Sequence, residues 1–373
     1  MNILFIIPKL SYSGAPRIMA WIANGMAKRG HNVTIVVIYR SECEQFLDKR
    51  VKIVFLGVTQ SKRWLYRNTI GMLKAVLSCR RAIKMIRPDT VISFLDSISQ
   101  IYILLNSFFW KNNVIVSERV DPYSRRKLQV SFLSFLMKRS NLVVFQTKEA
   151  RDFFRGKQKK LNDCVIPNPI IVDSSVRTAI KERKQMNNLE RKDFKISSVG
   201  RLSLKQKRQD VLLKAMTELK NNGIEFRLYV YGSGSDENVI KKMIEENSLG
   251  KYVKMMGQKK NIPSEIFDSD CFVLTSDFEG IPNALAEAMS IGIPCISTDC
   301  SPGGAKLLIN DGINGYLVDR GDYKSIAEKI IWIKEHKKAS KTIGENATKI
   351  VDNFSEEKIM DFWEKRIGNV VKR

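Results

Sequence analysis

Two carboxylates, Glu279 and Glu287, stand eight residues apart in the run Phe278-Glu279-Gly280-Ile281-Pro282-Asn283-Ala284-Leu285-Ala286-Glu287-Ala288-Met289. An ionised carboxylate accepts hydrogen bonds on both oxygens and donates none, so such a pair suits the recognition of hydroxyl groups. Pro282 marks the start of a helix, where a missing backbone N–H costs nothing. The free N–H groups and the dipole of a first helical turn make a place for an anion. Gly280, Ile281, Pro282 and Asn283 would offer backbone to that anion, with the carboxylates beside it. Phosphate on amides and sugar hydroxyls on carboxylates is the chemistry of a nucleotide-sugar site.

The elements that must hold these groups are legible as a pattern. The apolar run Cys271-Phe272-Val273-Leu274-Thr275 precedes the carboxylates and reads as a buried parallel strand. Similar runs occur at 3–7, 33–38, 51–56, 90–94, 114–116, 142–145 and 164–166, then at 195–199, 226–231, 253–255 and 294–297. Helix-length amphipathic stretches separate them. Continuous apolar strands divided by helices predict parallel sheets covered on both faces. Two such series predict two doubly wound, Rossmann-like α/β domains. The length of 373 residues is itself long for one core. The polar, weakly periodic stretch 173–193 lies between the series, and the boundary is expected just after Pro169. The expected division is 1–169, 170–354 and a C-terminal helix over 355–373, with Ser355 as its cap.

Ligands in such sheets bind in the loops at the carboxyl ends of strands. Gly14 falls in the loop after the first strand, where a missing side chain lets backbone approach a phosphate or sugar, or simply lets the chain turn. Arg201 and Lys207 follow the strand at 195–199 and suit a diphosphate, one as a planar fork and one as a point charge. Lys205 is a rival to Lys207. Gly232, in Tyr231-Gly232-Ser233-Gly234-Ser235, is an edge of the same cleft or an ordinary turn. Asp96, Glu118 and Arg119 follow strands of the first series. Arg119 suits an acceptor phosphate and Glu118 a hydroxyl, with a structural salt bridge between them as the alternative.

Composition narrows the setting. The net charge is +24, and it is unevenly placed: residues 1–185 hold 33 Lys and Arg against 12 Asp and Glu, and the remainder holds 30 against 27. The basic first half predicts an anionic partner. Basic and apolar side chains alternate in Lys62-Arg63-Trp64-Leu65-Tyr66-Arg67 and through residues 125–139, which favours an anionic membrane surface over nucleic acid. The six cysteines form no Cys-x-x-Cys pair, so neither a disulfide framework nor a zinc site is expected. No run reaches the ~20 apolar residues of a spanning helix, and no basic region precedes the first apolar run. A cytoplasmic chain, peripheral to the inner face of the membrane, is the expectation.

Several stretches carry a resemblance. Ser11-Tyr12-Ser13-Gly14-Ala15-Pro16-Arg17, Arg29-Gly30-His31-Asn32-Val33-Thr34-Ile35, Ser117-Glu118-Arg119-Val120-Asp121-Pro122-Tyr123, Pro167-Asn168-Pro169, Val199-Gly200-Arg201-Leu202 with Lys207, Glu279 with Glu287, and Asn314-Gly315-Tyr316-Leu317-Val318 occur in this order. Together they resemble the retaining glycosyltransferases of family 4, of the polysaccharide-assembly subgroup. The resemblance covers nearly the whole chain and implies the GT-B fold, two Rossmann-like domains facing across a cleft. It implies transfer of a hexose or N-acetylhexosamine from a nucleotide diphosphate sugar, with UDP favoured, to a lipid-linked saccharide in capsule, O-antigen or exopolysaccharide synthesis.

It also implies roles. Arg201 and a lysine would hold the donor diphosphate in place of a metal, so no cofactor is expected. Glu287 would bind the ribose and Glu279 the transferred sugar. The segment 257–262 would read the base through backbone, and Asp299-Cys300-Ser301-Pro302-Gly303-Gly304 would place amides over the sugar or phosphate. Many members carry a histidine in the N-terminal cleft, whereas only His31 and His336 occur here, and His31 is expected to be structural. Acceptor activation is left without a side-chain base. A nucleotide-sugar 2-epimerase of the same fold and a non-catalytic polyanion-binding protein are the alternatives.

Overall fold

The computed structural model describes all residues except 11–13, 40–46, 58–70, 96, 159, 187–192 and 373. The chain divides into two compact units, Met1–Asn168 with Glu357–Arg373, and Pro169–Glu356.

The first unit is built on seven parallel strands: β1 (Asn2–Ile7), β2 (Asn32–Val37), β3 (Lys52–Phe55), β4 (Thr90–Ser93), β5 (Val114–Glu118), β6 (Leu142–Phe145) and β7 (Asp163–Val165). Their spatial order is β3-β2-β1-β4-β5-β6-β7. Successive side chains of a strand point to opposite faces. Ile3, Phe5 and Ile7 therefore join one buried cluster and Leu4 and Ile6 another. Burial on both faces is why these strands read as unbroken apolar runs.

The C-terminal helix Glu356–Val371 completes the first of those clusters with Ile359, Met360, Trp363, Ile367 and Val370. Gly25 makes room for it: a Cβ there would lie 1.9 Å from Cε of Met360. Arg29 donates to Glu364 at 2.6 Å and pairs with Asp361 at 2.5 Å, and His31 Nε2 lies 2.7 Å from the other Glu364 oxygen. His31 thus ties the helix to the start of β2, a structural role.

The second unit carries six parallel strands: β8 (Lys195–Val199), β9 (Arg227–Tyr231), β10 (Val253–Gly257), β11 (Cys271–Leu274), β12 (Cys295–Thr298) and β13 (Tyr316–Val318). Their order is β10-β9-β8-β11-β12-β13, the same winding as β3-β2-β1-β4-β5-β6 in the first unit. Cys271 and Val273 face one core, Phe272 and Leu274 the other. Each sheet is doubly wound, and the order reverses between β1 and β4 and between β8 and β11. Those reversals are where ligands bind in such sheets.

Two expectations need correction. The stretch 173–193 is not a linker throughout, because Ser174–Gln185 is a helix of the second unit. Asp173 caps it by accepting from the amides of Ser175 and Val176, and only Val176 and Ala179 are buried. Strand β13 has no counterpart among the sequence-predicted strands. No helix among the described residues is long and apolar enough to cross a membrane. Cys79, Cys164, Cys271, Cys295 and Cys300 are all buried and form no disulfide.

Candidate functional site

The loops after β8 and β11 meet at the reversal of the second sheet. The short helix Leu204–Lys207 follows β8, and the segment from Thr275 to Pro282 follows β11. Backbone and side-chain bonds join them. Asp277 N donates to Gln206 O at 2.9 Å, Gln206 Nε2 to Phe278 O at 3.2 Å, and Thr275 Oγ1 to Lys207 O at 2.8 Å. Arg208 adds two forks, to both oxygens of Asp277 at 2.9 and 3.2 Å and to both oxygens of Asp210 at 3.0 Å. Hydrogen bonds from the guanidinium to Asp210 and then Asp277 hold its pKa above the ordinary arginine value.

This fastening brings two predicted residues into contact. Lys207 Nζ pairs with Glu279 Oε1, both side chains being mostly buried. Ser276 Oγ donates to that same oxygen at 2.9 Å. Lys207, and not Lys205, is the lysine placed at the carboxylate; Lys205 is exposed. Arg201 is also exposed, and its guanidinium has no partner among the described residues, which leaves its fork open to a ligand. The second carboxylate, Glu287, is half-buried within the helix Asn283–Ile291, about one turn from its start.

Pro282 is the N-cap of the helix Asn283–Ile291 and not its first residue. No side chain caps this helix start and no acidic residue lies in its first turn. Its leading amides therefore lack an internal acceptor, the condition for anion binding. Gly280 is fixed beside it, because Gly304 packs so closely that a Cβ there would lie 1.6 Å from Gly280 O. Ile281 is buried under the turn and Asn283 is exposed at its mouth. Glu279 N donates to Ser301 O at 2.7 Å, so the loop after β12 braces the same turn.

Gly232 serves this site through packing. Its φ is +135°, and a Cβ would meet Gly200 O at 1.9 Å. Gly200 in turn lies against Lys207, whose Nζ would be 3.3 Å from a Cβ at position 200. The role seen for Gly232 is thus to seat the Arg201 loop.

The metal-free expectation also supposes that no Asp-x-Asp pair occurs, and this needs correction, because the sequence holds Asp268-Ser269-Asp270. It precedes β11, at the amino end of the strands, where Asp270 accepts the amide of Lys195 at 2.7 Å and Asp268 pairs with the Lys195 ammonium. It fastens the start of β8 and lies at the opposite end of β11 from Glu279.

In the first unit, Glu118 corrects its expected role. It is 2% exposed, and its Oε1 accepts from the amides of Arg119 and Val120 at 3.0 and 2.9 Å and from Arg125 at 2.9 Å. Burial raises its pKa against the pull of Arg125. The salt bridge is real, but its partner is Arg125 and not Arg119. Arg119 Nε donates to Ser117 at 2.8 Å and Nη1 to Asn168 at 2.5 Å, and the guanidinium stacks 4.6 Å from the Phe94 ring centroid. Burial opposes its charge, and Nη2 has no partner. Gly14 is the first residue of the helix Gly14–Lys28, so it offers a helix N-terminus after β1 and not a free loop. Asp96, the segment 62–67 and most of the loop before Gly14 lie outside the described residues.

Sequence reasoning missed Ser276, Asp277 and Arg208. The signal available was position alone, since Ser276 and Asp277 directly follow β11.

The unit that holds the open arginine, the lysine–carboxylate pair and the uncapped helix start is also the part of the chain that a family model matches. Residues 179–350 match the family model described as glycosyl transferases group 1. The match lies wholly within the second unit, Pro169–Glu356.

Curated relatives extend the likeness beyond that segment. An uncharacterized glycosyltransferase of Methanocaldococcus jannaschii is 29% identical over 64% of this chain and 62% of its own length. A Campylobacter jejuni protein is 27% identical over 99% of both chains; it is named as the GalNAc-alpha-(1->4)-GalNAc-alpha-(1->3)-diNAcBac-PP-undecaprenol alpha-1,4-N-acetyl-D-galactosaminyltransferase. Among solved structures, HepE of Anabaena in complex with UDP and glucose superposes with a TM-score of 0.77 at 19% identity, covering 99% of each chain. That likeness gives the chain the GT-B fold.

Proposed function

We propose that the protein is a glycosyltransferase that moves a hexosyl or N-acetylhexosaminyl unit from a nucleotide diphosphate sugar to a hydroxyl of a lipid-linked saccharide, with retention at the anomeric carbon. The observation that carries the donor part is the Lys207–Glu279 pair set beside the open Arg201 fork and the uncapped start of Asn283–Ile291. A diphosphate would lie on Arg201, Lys207 and the helix amides, and Glu279 would then be released to the hydroxyls of the sugar. Glu287 is the residue for the ribose. UDP is favoured, a reading supported by the HepE neighbour solved with UDP and glucose. An undecaprenol-linked acceptor in polysaccharide assembly is supported by the name of the Campylobacter jejuni relative. Membrane association follows from such an acceptor and from the basic first half.

The chemistry needs little from side chains. The bond from the anomeric carbon to the β-phosphate oxygen breaks, and the acceptor oxygen bonds that carbon on the same face. The acceptor proton passes to the departing phosphate, so no side-chain base is required. Arg201 and Lys207 stabilise the charge that gathers on the leaving diphosphate.

The test is nucleotide diphosphate release from a panel of UDP- and GDP-sugars, with and without an extract of membranes carrying lipid-linked saccharides. Release confined to one donor and raised by the extract supports the proposal. No nucleotide binding with any donor would overturn it.

A further inference from the structure

The helix Lys127–Met137 has two apolar faces and only one of them is used. Val130, Leu133, Leu136 and Met137 enter the core of the first unit. Leu128, Phe132 and Phe135, spaced four and three apart, form a second stripe, and spacing of that kind keeps residues on one side of an α-helix. They are 86%, 41% and 36% exposed. Arg139 continues the stripe, its guanidinium 3.5 Å from the Phe135 ring centroid and 5.4 Å from that of Phe108. Phe108 and Phe109, in the π-helical turn Asn106–Trp110, are 56% and 72% exposed. The stripe and the turn therefore make one continuous patch through Arg139. Lys111, Arg126, Lys127 and Lys138 are exposed on the same two segments.

We propose that this face docks the chain on an anionic phospholipid bilayer, with Leu128, Phe132, Phe135, Phe108 and Phe109 at the acyl boundary and the basic side chains at the headgroups. The proposal deepens the membrane association put forward above and rests on that part alone. Charge selects the occupant. Lysine is depleted where proteins meet proteins, yet Lys111, Lys127 and Lys138 flank this patch. Long basic side chains place their stems along apolar surface and their heads in an aqueous, anionic layer. Nucleic acid would answer the charge but leave Leu128 and the stripe unused. The excess of 33 basic over 12 acidic residues in 1–185 strengthens attraction to anionic lipid.

The experiment is co-sedimentation of the full chain with phosphatidylcholine vesicles, with and without phosphatidylglycerol. The expected result is binding that requires phosphatidylglycerol and fades as salt rises. The triple variant Leu128→Ser, Phe132→Ser, Phe135→Ser should bind at least ~10-fold more weakly, the scale of losing part of three buried side chains. Lys127→Glu with Lys138→Glu should weaken binding chiefly at low salt. Phe108→Ser with Phe109→Ser provides the same reading should the triple variant fold poorly. UDP binding in solution, measured on the same proteins, should not change; its absence in all of them would count against the donor reading and leave this one standing. The proposal is overturned if both apolar variants sediment with the vesicles as the parent does, or if the parent ignores anionic vesicles. It is also overturned if the parent self-associates through this face, seen as a dimer that the triple variant converts to monomer.

Discussion

Lys207 and Glu279 neutralise one another across two loops that are 72 residues apart in sequence, with Ser276 as a second donor to the carboxylate. Both groups are needed by a ligand that carries phosphate on one side and hydroxyls on the other. Binding would therefore exchange one partner for another, with a cost set by the lost pair.

That exchange gives the first prediction. Glu279→Ala frees Lys207, so UDP alone should bind as tightly as to the parent or more tightly, while sugar transfer falls by ~100-fold or more, the scale of losing one electrostatic stabiliser. Lys207→Ala should weaken UDP binding. Calorimetry with UDP and initial rates of transfer separate the two. Weaker UDP binding in Glu279→Ala would contradict the pairing argument.

Arg201→Ala should lower transfer by a similar ~100-fold with little change in melting temperature. The guanidinium is exposed and has no partner among the described residues, so its removal leaves nothing buried behind. Parent-like turnover in a folded Arg201→Ala protein would remove this residue from the site.

Arg208 holds a left-handed backbone, φ +51°, while clamping Asp210 and Asp277. Such a φ costs a non-glycine residue on the order of 1 kcal/mol, and the half-buried ion pairs of Arg208 return about as much. Arg208→Gly should therefore leave stability nearly unchanged, as read by denaturant melts. Transfer should still fall, because Asp277 and the Glu279 loop lose their tie to Lys207. Unaltered kcat and KM would show that the clamp does not position the site.

The strands were legible because a parallel strand buried on both faces reads as a continuous apolar run, as in Ile3 to Ile7. Strand β13 is as short as β7 but follows the turn residues Asn314 and Gly315, and its Tyr316-Leu317-Val318 carries a resemblance without being read as a strand. The helix Ser174–Gln185 escaped because two buried residues make no visible stripe. Position and resemblance pointed to Glu279 and a lysine. They did not select Lys207 over Lys205, a choice made by long-range bonds such as Thr275 Oγ1 to Lys207 O. The ion-pair partner of Glu118 follows the same rule: Arg125 is placed by the turn Pro122–Ser124, where adjacency points to Arg119.

The Arg29–Glu364–His31 cluster makes stability depend on acid. Burial raises the Glu364 pKa, but hydrogen bonds from Arg29 and His31 outweigh it and leave the carboxyl below its usual value of 4.5. A depressed carboxyl stabilises the folded chain above that value, and the contribution disappears as pH falls through the lower, folded one. The melting temperature of the parent should exceed that of Glu364→Gln at neutral pH, and the gap should close below about pH 4. A gap that persists unchanged in acid would show that the effect is not the charge.

The glycines around the site are separable by the space they occupy. Gly232→Ala and Gly304→Ala would drive a Cβ to within 1.9 Å of Gly200 O and 1.6 Å of Gly280 O, both backbone atoms that side-chain motion cannot move aside. Gly223 has a positive φ of 71° as well, but nothing lies within 4 Å of a Cβ there. Gly223→Ala should cost about 1 kcal/mol from backbone conformation alone. The two site variants should cost more, about 2–3 kcal/mol from added overpacking, and should also lose transfer. They displace the loops that carry Arg201 and Glu279. Equal melting temperatures for all three variants would mean that the close approach of these loops is not what the glycines provide.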